Sequence, residues 1–169
     1  MLKSLYIRNY AIIQELELSL DTGLSTITGE TGAGKSILLG ALGLILGQRA
    51  DTSVLQNPDE KLIVEGTFDI RPYKLKSLFE AHGAEYEDTT VVRRLINPSG
   101  KSRAFVNDAP VTLPFLKKLG SALVDIHSQH SNLLLNEPLF QPRLIDSFSR
   151  AAQLLEKYSK AYKHFRQVE

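Results

Sequence analysis

The sequence predicts an α/β fold, and three observations carry that prediction. A glycine-rich stretch, Gly29-Glu30-Thr31-Gly32-Ala33-Gly34-Lys35-Ser36, sits between a short apolar run and a segment of helical periodicity. Residues 2 to 7 and 14 to 20 alternate apolar and polar, the period of strands with one buried face. Residues 89 to 96 and 103 to 106 flank Asn97-Pro98-Ser99-Gly100, which reads as the turn of a β-hairpin. Strands thus lie on both sides of a helix, so a mixed sheet with an antiparallel β insertion is expected.

Taken in order, the first two strands are followed by a turn at Asp21-Thr22-Gly23. A short apolar strand over residues 24 to 28 then leads into the glycine loop. From Lys35 to about Gly47, residues Ile37, Leu38, Ala41, Leu42 and Ile45 recur at helical spacing. Gly40 and Gly43 weaken that helix locally and suit close helix–sheet packing. The polar residues 48 to 60, with Asn57-Pro58, read as a loop. Residues 62 to 70 read as a strand, and 72 to 82 as a short amphipathic helix ended by Gly83. After the hairpin, 107 to 110 is a turn, Thr112 caps a helix reaching about Leu119, and 122 to 126 is a short apolar strand. A polar loop from His127 to Asn132 follows, and Asn136 caps a helix that begins Glu137-Pro138. In the last stretch Leu155, Tyr158, Tyr162 and Phe165 are spaced 3-4-3, a coiled-coil seam in miniature. A surface helix packed on its own domain fits the same spacing. The expected division is a lobe over 1–149 and the beginning of a coiled-coil arm over 150–169.

Composition narrows the function classes. The 169 residues are 43% hydrophobic and 23% charged, which suits one domain with a real core rather than a disordered tail. A net charge of +1 supplies no global field toward nucleic acid or membrane surfaces. The absence of cysteine excludes disulfides, thiolate nucleophiles and cysteine-held zinc. Lys3, Arg8 and Glu15 interrupt the N-terminal segment, so no secretory apolar core forms there. No run approaches the ~18 apolar residues that read as a membrane span. A cytoplasmic setting without a membrane partner is expected.

The glycine stretch matches G-x-x-x-x-G-K-[ST] at every fixed position, the P-loop of nucleotide-binding proteins. Glycines let successive backbone N–H groups turn inward onto phosphate oxygens and remove side chains that would block the approach. The helix opening near Lys35 adds the partial positive charge of its N-terminus. Lys35 supplies a full cation for the β- and γ-phosphates of ATP, and the Ser36 hydroxyl is placed to ligate Mg²⁺.

Two further stretches narrow the class. LYIRNYAIIQELELSL, a strand and GETGAGKS follow one another at the N-terminus, and this order resembles the head domains of SMC-like ATPases of the ABC-type superfamily. GKSRAFVNDAPVTLPFLKKLGSALVDIHSQHSNLLL, residues 100 to 135, resembles the RecN family of bacterial DNA repair and recombination proteins. Ser128 and Asp108 stand where that family usually has glycine; aspartate is itself a good turn residue, and neither change removes a functional side chain. The resemblance implies that Gln129 is the Q-loop glutamine, binding Mg²⁺ and sensing the γ-phosphate. It places Arg8 and Asn9 where related heads contact the base or ribose. His127 and His130 flank Gln129 at i, i+3, but no third ligand stands out, and packing or hydrogen bonding is the expected role. Arg93, Arg94, Lys101 and Arg103 cluster around the hairpin, where they fit DNA backbone, a partner head or a plain solvated face.

The family's remaining machinery is an apolar strand ending Asp-Glu (Walker B) and a Ser-Gly-Gly signature loop donated by a second head. Neither occurs in residues 1 to 169. The resemblance therefore implies an ATP-binding N-terminal part of a head, completed by a C-terminal half of the same head. It implies homodimerisation through a second head, DNA as partner, a nucleoid-associated cytoplasmic location, and no turnover by this piece alone. A stand-alone P-loop kinase or transferase and a non-catalytic coiled-coil interaction module remain as other readings.

Overall fold

The computed structural model describes residues 1–28, 34–49, 52–126, 145, 148–149 and 152–168. The chain divides into two compact units, Met1–Asp125 and Ile126–Glu169. The sequence placed the division at 149/150.

The first unit is a six-stranded sheet with helices. The strands are β1 (Leu2–Tyr10), β2 (Ile13–Ser19), β3 (Leu62–Asp69), β4 (Thr89–Ile96), β5 (Ser102–Val106) and β6 (Ala109–Val111). Their order is β2-β1-β3-β4-β5-β6. Every pairing among the described strands is antiparallel, so the sheet expected to be mixed is antiparallel over this part of the chain. Residues 24–28 form no strand, contrary to expectation; Leu24 is 96% exposed and Ile27 53%. Apolar residues alone do not make a strand: its N–H and C=O groups need a neighbouring ladder, and none of the described strands pairs with this segment.

Alternation along the strands puts one face of the sheet in the core. Leu5 and Ile7 of β1, Leu62, Val64 and Phe68 of β3, Val92 and Ile96 of β4, and Ala104 and Val106 of β5 are buried. Helix α1 (Gly34–Ile45) packs across β1, β3 and β4. A Cβ at Gly40 would lie 2.3 Å from the Tyr10 hydroxyl, so this glycine serves the close helix–sheet approach that the sequence predicted. Gly43 instead makes room for the Gln48 side-chain amide. The helix ends in a Schellman motif: Gln48 N–H donates to Gly43 C=O (2.9 Å) and Gly47 N–H to Leu44 C=O (3.2 Å). Gly47 supplies the left-handed residue at φ 92°.

The other elements follow the predicted order with shifted bounds. Residues 52–54 form a single 3₁₀ turn within the expected loop. The helix read over 72–82 shrinks to α2 (Lys76–Glu80), because turns that close on the Ile70 and Tyr73 carbonyls take up the residues before it. The turn read over 107–110 is tighter than expected. Asn107 and Asp108 are its two central residues, at φ 48° and 61°, as a type I′ hairpin requires. Both residue types tolerate that region, which is why Asp108 can replace a glycine. Pro110 then sits on the edge strand β6, where a missing N–H costs no ladder bond. Thr112 caps α3 (Leu113–Leu123) as predicted, its Oγ1 accepting from Phe115 N–H at 3.4 Å. This helix runs four residues beyond Leu119 because Phe115, Leu116, Leu119 and Leu123 form one buried stripe, so the strand expected over 122–126 does not form.

In the second unit, α4 (Ala152–Val168) presents Leu155, Tyr158, Tyr162 and Phe165, all exposed, with Tyr158 and Tyr162 stacked at 6.0 Å. The loop holding His127, Gln129 and His130, and the helix expected after Asn136, lie outside the described residues. Among the described residues no helix is long and apolar enough to cross a membrane.

Arg93 and Arg94 are neighbours on β4 and so lie on opposite faces of the sheet. Arg93 pairs with Glu65 on the adjacent strand and with Asp108 at 2.8 Å. Arg94 is 2% exposed, and its Nε has no hydrogen-bond partner among the described residues. Burial pushes its guanidinium below the ordinary arginine range. A charge desolvated in this way costs stability. Arg94→Met is therefore expected to raise the unfolding free energy, by about 1 kcal/mol. A denaturant midpoint that falls instead would contradict a net cost of burying this guanidinium. The basic cluster read around the hairpin is thereby dispersed: Arg93 is neutralised, Arg94 is interior, and only Lys101 and Arg103 are exposed.

Candidate nucleotide-binding site

Of the eight loop residues, Gly34, Lys35 and Ser36 are described; Gly29, Glu30, Thr31, Gly32 and Ala33 lie outside the described residues. The three described ones form the opening of α1 and are exposed. No acidic side chain occupies the first turn of this 12-residue helix, so the partial positive charge of its N–H groups is not offset there. Among the described residues nothing lies within 4 Å of where a Gly34 Cβ would be. Backbone donors, the Lys35 ammonium and the Ser36 hydroxyl fit a polyphosphate with a bound divalent cation.

Lys35 also borders an apolar groove of about 280 Å³ with Leu2, Leu5, Leu18, Ile27 and Leu38 along its walls. Its aliphatic stem can rest on apolar surface while the ammonium remains in solvent.

Arg8 and Asn9 line a different, polar pocket of about 500 Å³, together with Gln14, Glu15, Gln56 and Asn57. It shares no lining residue with the groove beside Lys35. Asn9 is buried, at φ 59°, and its side chain is fully committed to the loop that returns from α1. Its Nδ2 donates to the carbonyls of Asn57 (3.0 Å) and Glu60 (2.9 Å), and its Oδ1 accepts from Asn57 N–H (2.6 Å). Arg8 is half-exposed and faces the Glu60 carboxylate at 3.4 Å. The expected nucleotide-contacting pair thus separates into a buried clamp, Asn9, and an exposed cation, Arg8. Ala11 N–H reinforces the clamp by donating to Val54 C=O at 2.7 Å.

Sequence reading missed the clamp and the part played by Tyr10, whose hydroxyl packs on Gly40 of α1. The signal available for the clamp was an asparagine closing a strand, the residue type that best accepts a positive φ after glycine. Gln129 lies outside the described residues.

The model for the AAA domain matches residues 4–169. The DNA repair protein RecN of Vibrio cholerae is 40% identical over 169 residues, covering 99% of this chain and 30% of its own length. That of Bacillus subtilis is 38% identical over 169 residues, covering 98% of this chain and 29% of its own. The chain therefore spans about a third of the length of these curated relatives. In fold it is similar to the Smc head domain of Pyrococcus yayanosii, with a TM-score of 0.68 at 20% identity, over 98% of this chain and 35% of that one. The glycine loop, α1 and all but the first two residues of the sheet lie within the matched span, and the chain belongs to the AAA domain family.

Proposed function

We propose that this chain is the ATP-binding part of an SMC-like ATPase that acts in DNA double-strand break repair and recombination. The observation that carries the proposal is the exposed, acid-free start of α1 at Gly34-Lys35-Ser36, preceded in sequence by the remaining P-loop glycines. The RecN likeness over nearly the whole chain supports the repair role, and the Smc-head fold supports the mechanism.

In this reading residues 29–36 cradle the phosphates, with main-chain N–H groups and Lys35 neutralising their charge. Ser36 and Gln129 hold Mg²⁺, which when bound draws charge from the β- and γ-phosphate oxygens. Arg8 reaches the nucleotide's ribose or base, while Asn9 fixes the loop beside it. Residues 1–149 form the N-terminal lobe, completed by a C-terminal half of the head, and 150–169 begin a coiled-coil arm. ATP closes two heads of a homodimer over two nucleotides, and hydrolysis reopens them on DNA in the nucleoid.

The 169-residue chain is expected to bind a fluorescent ATP analogue with Mg²⁺ yet release no phosphate above background, since no Walker B or signature segment occurs in it. Phosphate release by the purified chain that Lys35→Ala abolishes would overturn the division of labour between two halves. Transfer of the phosphate to a small molecule would point to a kinase instead.

A further inference from the structure

The turn between β3 and α2, with α2 and the segment after it, encloses a cleft of about 380 Å³. It is lined by Arg71, Tyr73, Lys74, Lys76, Ser77 and Tyr86: three cations, three hydroxyls and no carboxylate. Two of the cations are held in place. Arg71 Nε and Nη2 donate to the two carboxylate oxygens of Asp69 at 2.9 and 2.5 Å, a fork that offsets its charge and leaves Nη1 uncommitted among the described residues, so Lys74 and Lys76 carry the cleft's net charge. The Lys76 ammonium lies 5.5 Å above the Tyr86 ring, and that ring is fixed edge-on against the buried Phe79 at 5.4 Å. Lys74 and Lys76 are exposed, and neither forms an ion pair among the described residues. Asp69 and Asp88 are the carboxylates whose charge reaches Arg71.

We propose that this cleft binds the phosphodiester backbone of a nucleic acid, independently of base sequence. Arginine, lysine, serine and tyrosine side chains are the donors that contact phosphate and sugar oxygens. The chain's net charge of +1 gives no overall attraction, so any electrostatic grip has to come from a local cluster of this kind. An acidic peptide fits less well. A peptide interface draws on buried apolar anchors, and the Tyr86 ring is already taken up by Lys76 and Phe79. Because both lysines are exposed, their replacement leaves the core untouched. The proposal rests on the reading that the protein acts on DNA, and it adds the surface that makes the contact.

The test is fluorescence anisotropy of labelled single- and double-stranded 30-mers with the full chain, as wild type and as Lys74→Gln/Lys76→Gln. Titrations run across a series of salt concentrations, and ATP-analogue binding is measured in parallel. The double variant is expected to bind DNA at least tenfold more weakly at low salt. Its plot of log affinity against log salt is expected to be shallower by about 1.8 for the duplex and about 1.4 for the single strand, from two lost phosphate contacts. Its ATP binding and circular dichroism are expected to match wild type. Equal DNA affinity and slope in the double variant would overturn the cleft while leaving the repair reading intact. No DNA binding by the wild type, with ATP still bound, would overturn both. Displacement of DNA by pyrophosphate or by polyglutamate at equal charge would assign the cleft to free polyphosphates or to acidic peptides and overturn the nucleic-acid proposal.

Discussion

Lys35→Ala is expected to weaken binding of ATP by about a hundredfold, close to 3 kcal/mol, without changing the protein's stability. The side chain is exposed at the start of α1, and its stem borders a groove rather than filling the core. Substitutions at such positions usually move stability by no more than about 0.5 kcal/mol. In the proposed function the ammonium, by contrast, is the full positive charge offered to the β- and γ-phosphates, and charge-assisted hydrogen bonds are the strong ones. Lys35→Arg is expected to recover part of the loss, since it keeps the charge but not the compact point-like donor. Calorimetric titration with ATP and Mg²⁺ reads all three proteins. An unchanged dissociation constant in Lys35→Ala would mean that the loop does not hold the phosphates.

Asn9→Ala carries the second large effect, and here it falls on stability. The substitution removes three part-buried hydrogen bonds, to the Asn57 N–H and to the Asn57 and Glu60 carbonyls. Each such bond contributes about 1 kcal/mol net. Alanine at φ 59° adds about 1 kcal/mol of backbone strain that asparagine avoids. The sum is about 3 to 4 kcal/mol, or roughly 10 °C in melting temperature for a chain of this size. Asn9→Gly separates the contributions, because it loses the hydrogen bonds but not the backbone fit, and is expected to lie about 1 kcal/mol above Asn9→Ala. A loss below 1 kcal/mol in Asn9→Ala would show that the 57–60 loop is held by other contacts. Hydrogen exchange at Asn57 is the sharper readout, since its N–H loses its acceptor in both variants.

These two residues illustrate what each level of description could reach. The P-loop pattern around Lys35 is legible from sequence because phosphate chemistry fixes the residues of such a loop and their spacing, whatever surrounds them. The period-2 strands, the Thr112 cap and the hairpin turn were legible for a similar reason: each is decided by residues within a few positions of one another. The mistaken elements all depended on something distant. Residues 24–28 have the composition of a strand but no described ladder partner. Residues 122 and 123 continue a helix because the stripe that starts at Phe115 is buried, with Phe115 against Phe79 and Gly120 against Leu46. Asn9, read as a ligand contact, also clamps a loop that the sequence did not reveal, because Asn57 and Glu60 return to it from 48 and 51 residues away.

The sequence by itself determined that a P-loop pattern stands at the start of a helix, and that strands with one apolar face accompany it, because local spacing and local conformational preference settle both. Only the tertiary structure decided which cations face solvent and which are spent. Arg93 and Arg94 look alike in the chain, yet one pairs with Glu65 across the sheet and the other is sealed in the core. The unremarked Arg71, Lys74 and Lys76 converge on one cleft. Charge acts through space, and the distances that set its worth exist only once strands far apart in sequence lie side by side.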